Sequence, residues 1–305
     1  MPLRVAITGA SGFVGRNTTA FLSREGIKVT AIVRPGKEDF VKKLGASKAR
    51  TIADISAENA ADELAEIFSG HGVVMHFTYI SDFDVKTFEQ KNTQANKNAV
   101  AAAVRGGVKK FIANSGLGVA NLGKKKETSN GYFRSKKRLE DALMKANFES
   151  GMNYVIFRPS YIIGRDDELT PNLAEKIKNR EPILVIGTGE YRMQPVFVGD
   201  VMKIYLACLR SNKFNNKIFD LVGPRKISYF DYISLIGKII GREPLLQYMT
   251  KEEAVKRKIE LGLNEDEIDV LMSGETGDEK ILQKTFRLQL TAVERSLEKI
   301  VHETF

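Results

Sequence analysis

The sequence predicts an α/β protein: a doubly wound parallel sheet carrying a smaller, mainly helical C-terminal lobe. Three observations lead there. Apolar runs of strand length alternate with helix-compatible segments through the first half of the 305-residue chain. Those runs are continuously apolar, as strands buried on both faces by crossover helices must be. After Pro159 the alternation gives way to mostly helical sequence with clear start signals.

The expected strands are RVAITG, KVTAIVR, the weaker ARTIADI, VVMHFTYI, KKFIANS and NYVIFRP. Between them NTTAFLSREG, NAADELAEIFSG and QANKNAVAAAVRGG read as helices, and Gly26, Gly45, Gly70 and Gly106 stand where helices should stop. Beyond Pro159, DDELTPNLAEKIKNREP reads as a short helix, MQPVFVGDVMKIYLACLRS as a strand and helix, and KIFDLVG as a strand; both of these strands are expected to rejoin the sheet. Ser228, Asn264 and Thr291 each precede an acid by three residues (Asp231, Glu267, Glu294), the spacing of a capped helix start. No repeat or long linker is apparent. The expected division is residues 1–164 plus about 196–223 for the nucleotide-binding domain and about 165–195 plus 224–305 for a substrate lobe.

A hydrophobic content of 43% with 28% charged residues suits a soluble globular protein rather than a disordered or membrane chain. No apolar run reaches a membrane span, and the N-terminus enters a strand almost directly, so neither a membrane span nor a signal peptide is expected and a cytoplasmic location is. The single cysteine, Cys208, excludes an internal disulfide and reads as a core residue. Lys and Arg total 47 against 38 Asp and Glu, a net charge of +9, which favours anionic partners. The charge is dispersed, the densest run (GKKKE, 123–127) reads as a solvated loop, and no nucleic-acid signature accompanies it, so no nucleic-acid partner is expected. Nor does the sequence hold a metal-ligand spacing, so no metal is expected.

The chemistry begins at VAITGASGFVGRNTT, residues 5–19. A strand runs into Gly9, Gly12 and Gly15 and then into a helix. In a dinucleotide site the first glycine permits the tight turn, the second lets backbone approach a pyrophosphate, and the third lets helix and strand pack closely. The helix N-terminus presents free N–H groups and partial positive charge to the phosphates.

The spacing G-x-x-G-x-x-G with Thr8 before it resembles the short-chain dehydrogenase/reductase superfamily, in its extended or atypical branch, the NAD(P)-dependent epimerase/dehydratase family. The resemblance extends over most of the chain: ADI (53–55), HFTYI (76–80), Asn92 in the helix before the fifth strand, YFRSK (132–136) and FRPSYIIG (157–164) all fall where that family has motifs. QPVFVGDV and LTAVERSLEKI look most like the subgroup of the nucleotide-binding accessory subunit of respiratory complex I. The resemblance implies a Rossmann fold and cofactor contacts at Thr8, Gly9, Ser11, Gly12, Phe13, Val14 and Gly15. It further implies contacts at Asp54 and Ile55 toward adenine, at Phe77 and Thr78, and at Lys136, Pro159 and Ile162 toward nicotinamide. Asn92 falls at the family's structural asparagine and is counted with the cofactor site. A homodimer through the two helices flanking the sheet is also implied.

NAD-specific sites end the second strand with a carboxylate on the ribose hydroxyls. Here that place holds Arg34, with Lys37 just beyond, and a guanidinium pairs well with a phosphate, so NADP(H) is the expected cofactor and NAD the alternative. Tyr132 and Lys136 stand four apart, on one face of a helix. An ordinary tyrosine, at about pKa 10, is a poor base at neutral pH, and a neighbouring ammonium should lower that value. Tyr132 would then exchange a proton with the substrate hydroxyl, and the family implies that Lys136 also holds the nicotinamide ribose. The family's third member, a hydroxyl after the fifth strand, falls on Gly116, leaving Ser115, one residue earlier, as candidate. A missing donor there costs on the order of a hundredfold in rate. His76 reads as a core histidine, Arg192 sits one residue off the arginine that grips nucleotide diphosphates in extended members, and GTGEY (187–191) reads as a turn.

These features together predict an NADP(H)-dependent oxidoreductase or epimerase/dehydratase acting on a sugar nucleotide or small carbonyl or alcohol. The alternative is a non-catalytic NAD(P)H-binding redox sensor or structural subunit.

Overall fold

The structure, a computed structural model, describes residues 3–124 and 126–305. Lys125, within the basic run 123–127, lies outside the described residues. Six strands, β1 (Arg4–Thr8), β2 (Lys28–Val33), β3 (Lys48–Thr51), β4 (Val73–His76), β5 (Lys110–Asn114) and β6 (Asn153–Pro159), join Lys217–Leu221 in a seven-stranded sheet. The order across it is Lys217–Leu221, β6, β5, β4, β1, β2, β3, with every neighbouring pair parallel. The expected fold class is thus the observed one.

The helices are α1 (Phe13–Arg24), α2 (Glu38–Lys43), α3 (Ala60–Phe68), α4 (Val85–Arg105), α5 (Gly131–Ser150), α6 (Thr170–Asn179) and α7 (Val198–Arg210). Then come α8 (Tyr229–Ile240), α9 (Lys251–Lys256), α10 (Lys258–Leu261), α11 (Glu265–Met272), α12 (Glu279–Phe286) and α13 (Val293–Thr304). Helices α3, α4 and α5 cover one face of the sheet, burying Leu64, Ala99 and Leu139 against Ala6, Val74 and Ile156. Helices α1 and α7 cover the other, burying Leu22 and Val201 with Val5, Ile7 and Phe157. Each fully buried Leu, Ile or Phe contributes about 1.5–3 kcal/mol, so these two apolar layers outweigh the exposed ion pairs as the source of stability. A separate apolar cluster forms where α6, α8 and α13 pack together around Leu173, Tyr232 and Leu297.

Several local expectations change. Val196–Phe197 does not enter the main sheet but pairs in parallel with Ile162–Ile163; Lys217–Leu221 does enter, beside β6. The VVMHFTYI strand ends at His76, and the weak ARTIADI strand is confined to Lys48–Thr51. Helix α4 stops at Gly106, but the left-handed residue is Gly107, with φ of 70°, while Gly106 keeps helical geometry. Ser228 and Asn264 cap α8 and α11 as expected, and Asn264 with Glu267 forms a full capping box. Thr291 caps nothing: α13 starts after Ala292, and the Thr291 N–H donates to Asp200 Oδ2 at 2.6 Å. A buried carboxylate has taken the group a local cap would have used. A further capping box, Thr250 with Glu253, opens α9. Cys208 is buried, and burial pushes its thiol up to about 12. Among the described residues, no helix is long and apolar enough to cross a membrane.

Candidate active site

The strand order reverses between β1 and β4, so the connections leaving their carboxyl ends run apart and open a crevice. The glycine turn lies there. Gly9 adopts φ of 68°, and a Cβ on it would sit 2.8 Å from the Phe77 carbonyl. A Cβ on Gly15 would lie 2.1 Å from the Gly9 carbonyl oxygen, a clash no rotamer relieves. Gly12, which donates its N–H to the Gly9 carbonyl at 3.0 Å, is the N-cap of α1, and no side chain caps that first turn. The residues present therefore fit a dinucleotide: a tight turn, a helix start left to an external anion, and an exposed position without a Cβ at Gly12.

Thr8 is wholly buried, and its hydroxyl contacts His76 Nδ1 at 2.7 Å rather than facing the crevice. His76 Nε2 donates to Asn96 Oδ1 at 3.0 Å, so Nδ1 is the acceptor from Thr8, and Asn96 in turn donates to the Ser135 carbonyl. This relay ties β1, β4, α4 and α5 together. Burial, with Lys136 adding to it, holds His76 down to about 4, against a bond to Asn96 that favours its charged form. The unfolded chain therefore takes up this proton near pH 6.5 and the folded one only near 4. The stability His76 supplies is complete above pH 6.5 and declines as pH falls toward 4. Urea unfolding should show His76→Gln losing less stability than the parent over that interval; parallel curves would refute this assignment.

Arg34 and Lys37 are both exposed, just past the end of β2, and no carboxylate pairs with Arg34 among the described residues. Asp54 accepts hydrogen bonds from the Ser56 N–H and hydroxyl at 2.8 and 2.6 Å, which hold its carboxyl below the usual range and fix the loop that carries Ile55. Asn92 is buried and exchanges two hydrogen bonds with the Ile80 backbone, while also donating to Phe88. Its role is to pin the loop containing Phe77 and Thr78. Phe77 stacks on Tyr205 with ring centroids 5.4 Å apart. Pro159 ends β6, and Ile162 lies in the short strand beyond it. Ser11, Phe13 and Val14 occupy the glycine turn and the start of α1.

Asn130 caps α5, and Tyr132 and Lys136 follow on its sheet-facing side. Lys136 is buried, lies 5.7 Å from the Tyr132 ring centroid, and donates to the Asn114 carbonyl at the end of β5. Burial lowers Lys136 to about 8. Tyr132 moves opposite to expectation: burial, then the Glu267 carboxylate, pushes it up to about 12. Desolvation of the phenolate sets the direction, so Tyr132 is a neutral phenol at pH 7.

Ser115 is buried directly after β5, but its hydroxyl donates to Glu140 Oε1 at 2.6 Å. Arg158 clamps the same carboxylate through Nε to Oε1 at 2.8 Å and Nη2 to Oε2 at 2.6 Å. This structure therefore assigns Ser115 to a buried ion-pair network rather than to a bond with Tyr132. Gly116 occupies the position beside Tyr132: a Cβ there would stand 3.0 Å from Tyr132 Cε1 and 3.3 Å from Phe133. The two rings fill the space that a side chain would need.

Residues not anticipated complete the surroundings. Tyr79 donates to Glu267, and its ring lies edge-on to Tyr132 at 6.2 Å. Asp266 Oδ2 accepts the Gly131 N–H at 2.9 Å, holding α11 against the start of α5, and Asn264 donates to the Asp82 carbonyl. Glu267 was legible only as a helix-capping acid. Arg192 is exposed on a short antiparallel pair with Ser228. Gly187 and Gly189 have φ of 65° and 74°, as the expected turn requires.

This fold and crevice define a dinucleotide-binding α/β protein of the doubly wound class. Residues 5–221 match the model of the NAD dependent epimerase/dehydratase family, and the chain belongs to that family. It is 25% identical over 244 residues to the NADH dehydrogenase [ubiquinone] 1 alpha subcomplex subunit 9, mitochondrial, of Arabidopsis thaliana; the match covers 78% of this chain and 58% of that protein. It is 28% identical over 210 residues to ceramide reductase of Caulobacter vibrioides, covering 68% and 61%. The chain thus spans about three fifths of the length of these relatives. The structure superposes on UDP-glucuronic acid 4-epimerase from Bacillus cereus, in complex with UDP-glucuronic acid and NAD, with a TM-score of 0.76, at 18% identity and with 99% of each chain covered.

Proposed function

We propose that the chain is an NADP(H)-using oxidoreductase that reduces a carbonyl group on a small molecule held in the crevice. The observation that carries this reading is the Tyr132–Lys136 pair, one helical turn apart beside the end of β5. When bound, the dinucleotide would supply the hydride. Tyr132, neutral at pH 7, is suited to donate a proton to the developing alkoxide, so the reductive direction is favoured. Lys136 uses one of its three donors on Asn114, leaving others for ribose hydroxyls. The substrate class also includes sugar nucleotides, the ligands of the epimerase structure, although Arg192 points to no buried diphosphate grip.

Arg34, exposed where NAD-specific sites keep a carboxylate, supports NADP(H) over NAD(H). A guanidinium–phosphate contact contributes about 1.5–3 kcal/mol, so Arg34→Ala should weaken NADPH binding roughly tenfold or more and leave NADH unchanged. Calorimetric titration of both cofactors tests this, and an unaltered NADPH preference in the variant would remove the assignment.

A second reading is a binder without turnover. The glycine at 116 and the commitment of Ser115 to Glu140 favour it, as does the similarity to a complex I subunit. Cofactor binding with no hydride transfer to any of a broad panel of aldehydes, ketones and sugar nucleotides would support this reading over the first.

A further inference from the structure

At the amino ends of the strands, opposite the glycine turn, lies a second cleft of about 440 Å³. Arg4 of β1, Lys28 of β2, and Lys48 and Arg50 of β3 line it, with His71 and a single carboxylate, Glu66. The pleat explains the convergence. Arg4 pairs with Lys28, and Thr30, two residues on, pairs with Lys48, so side chains at 4, 28, 30, 48 and 50 share one face of the sheet. The end of α3 walls that face. None of the four cations forms an ion pair among the described residues.

All four side chains are exposed, so salt weakens but does not abolish their mutual repulsion. Like charges directly opposite on neighbouring strands, as at Arg4 and Lys28, repel. Lysine and arginine on an edge strand guard against sheet-to-sheet aggregation, which accounts for β3. It does not account for Arg4 and Lys28, which lie on interior strands. His71 stands among these charges: Nε2 lies 2.8 Å from the Thr30 hydroxyl, Nδ1 lies 3.3 Å from the Phe68 carbonyl, and Arg4 and Lys48 both act on it. Burial is the main cause that holds its pKa below the ordinary value, and those two cations add to it.

We propose that this cleft is a binding site for a small multivalent phosphate-bearing anion, distinct from the dinucleotide crevice, with Arg4, Lys28, Lys48 and Arg50 as its cationic walls. Its volume admits one such ligand, and its single carboxylate leaves the field strongly positive. The ligand's source is either a free polyphosphorylated metabolite or the headgroup of a phosphoinositide. Independently of any cofactor reading, the anion would neutralise a repulsion the fold otherwise retains.

The test uses the full chain with sodium tripolyphosphate as probe, read by calorimetry and by the His71 ring signals in NMR titrations. Expected is a site whose occupancy raises the His71 pKa, apart from any binding at the glycine turn, with the concentration that moves the His71 ring at least tenfold higher in the double variant Lys48→Glu/Arg50→Glu. Those side chains are exposed, and an unchanged thermal midpoint and an unchanged His76 ring signal show that the variant folds. If tripolyphosphate leaves the His71 ring unmoved at millimolar concentration, or moves it at the same concentration in the variant as in the parent, the proposal is overturned. Inositol hexakisphosphate and phosphoinositide-containing vesicles form the two further arms. Preference for the first supports a soluble ligand and preference for the second a headgroup; loss of both interactions in the variant is required in either case.

Discussion

Tyr132→Phe should bind cofactor as the parent does and reduce its carbonyl substrate about 10²- to 10⁴-fold more slowly, the range a positioned acid or base supplies. The loss should fall on kcat, because the phenol acts on an oxygen whose charge develops only in the transition state. The half-buried location matters here. Burial and Glu267 push Tyr132 up to about 12, so the group holds its proton over the whole neutral range and is ready to give it. The rate of reduction should stay flat as pH rises through neutrality rather than climb. Steady-state kinetics on wild type and variant with one verified substrate decide the matter. A Phe variant with full kcat would leave the Tyr132–Lys136 reading without support, whatever the cofactor affinity.

The largest stability effect is expected at Glu140→Ala. Glu140 is fully buried and accepts both arms of Arg158 and the Ser115 hydroxyl. Removing one member of such a pair leaves an uncompensated charge and costs about 3–5 kcal/mol. Arg158→Met in the Glu140→Ala background should recover part of that loss, because the stranded guanidinium is then gone. Urea unfolding of the parent, both single variants and the double variant gives the cycle. A single-variant cost below about 1 kcal/mol, in the range of an exposed pair, would contradict the account. The network joins the end of β5, the middle of α5 and the end of β6. Its loss should therefore also disturb the seat of Lys136, one turn before Glu140 on the same helix.

What the amino-acid sequence revealed and what it hid follow a physical division. The sheet was legible because continuous apolar strands leave few alternatives to burial on both faces. The glycine turn was legible because Gly9 and Gly15 sit where a Cβ meets backbone, a constraint local in the chain. Tyr132 and Lys136 were brought together by helical periodicity. Long-range polar pairing has no such periodic trace. Nothing in the chain announces that Tyr79 meets Glu267, 188 positions away, or that Ser115 turns to Glu140. Thr291 failed as a cap for the same reason: Asp200, 91 positions distant, claims its N–H. The direction of the Tyr132 shift was misjudged because burial, not spacing, sets it.

The clasp made by residues 264–267 carries one more implication. A carboxylate from the last fifth of the chain fixes the hydroxyl of Tyr79, closes its own helix start, and acts electrostatically on Tyr132. Proton affinity at Tyr132 is thus written partly by a remote stretch of polypeptide. Exchanging that stretch between homologous chains would retune the acidity of the phenol without touching a residue of the glycine turn or of the Tyr–Lys helix.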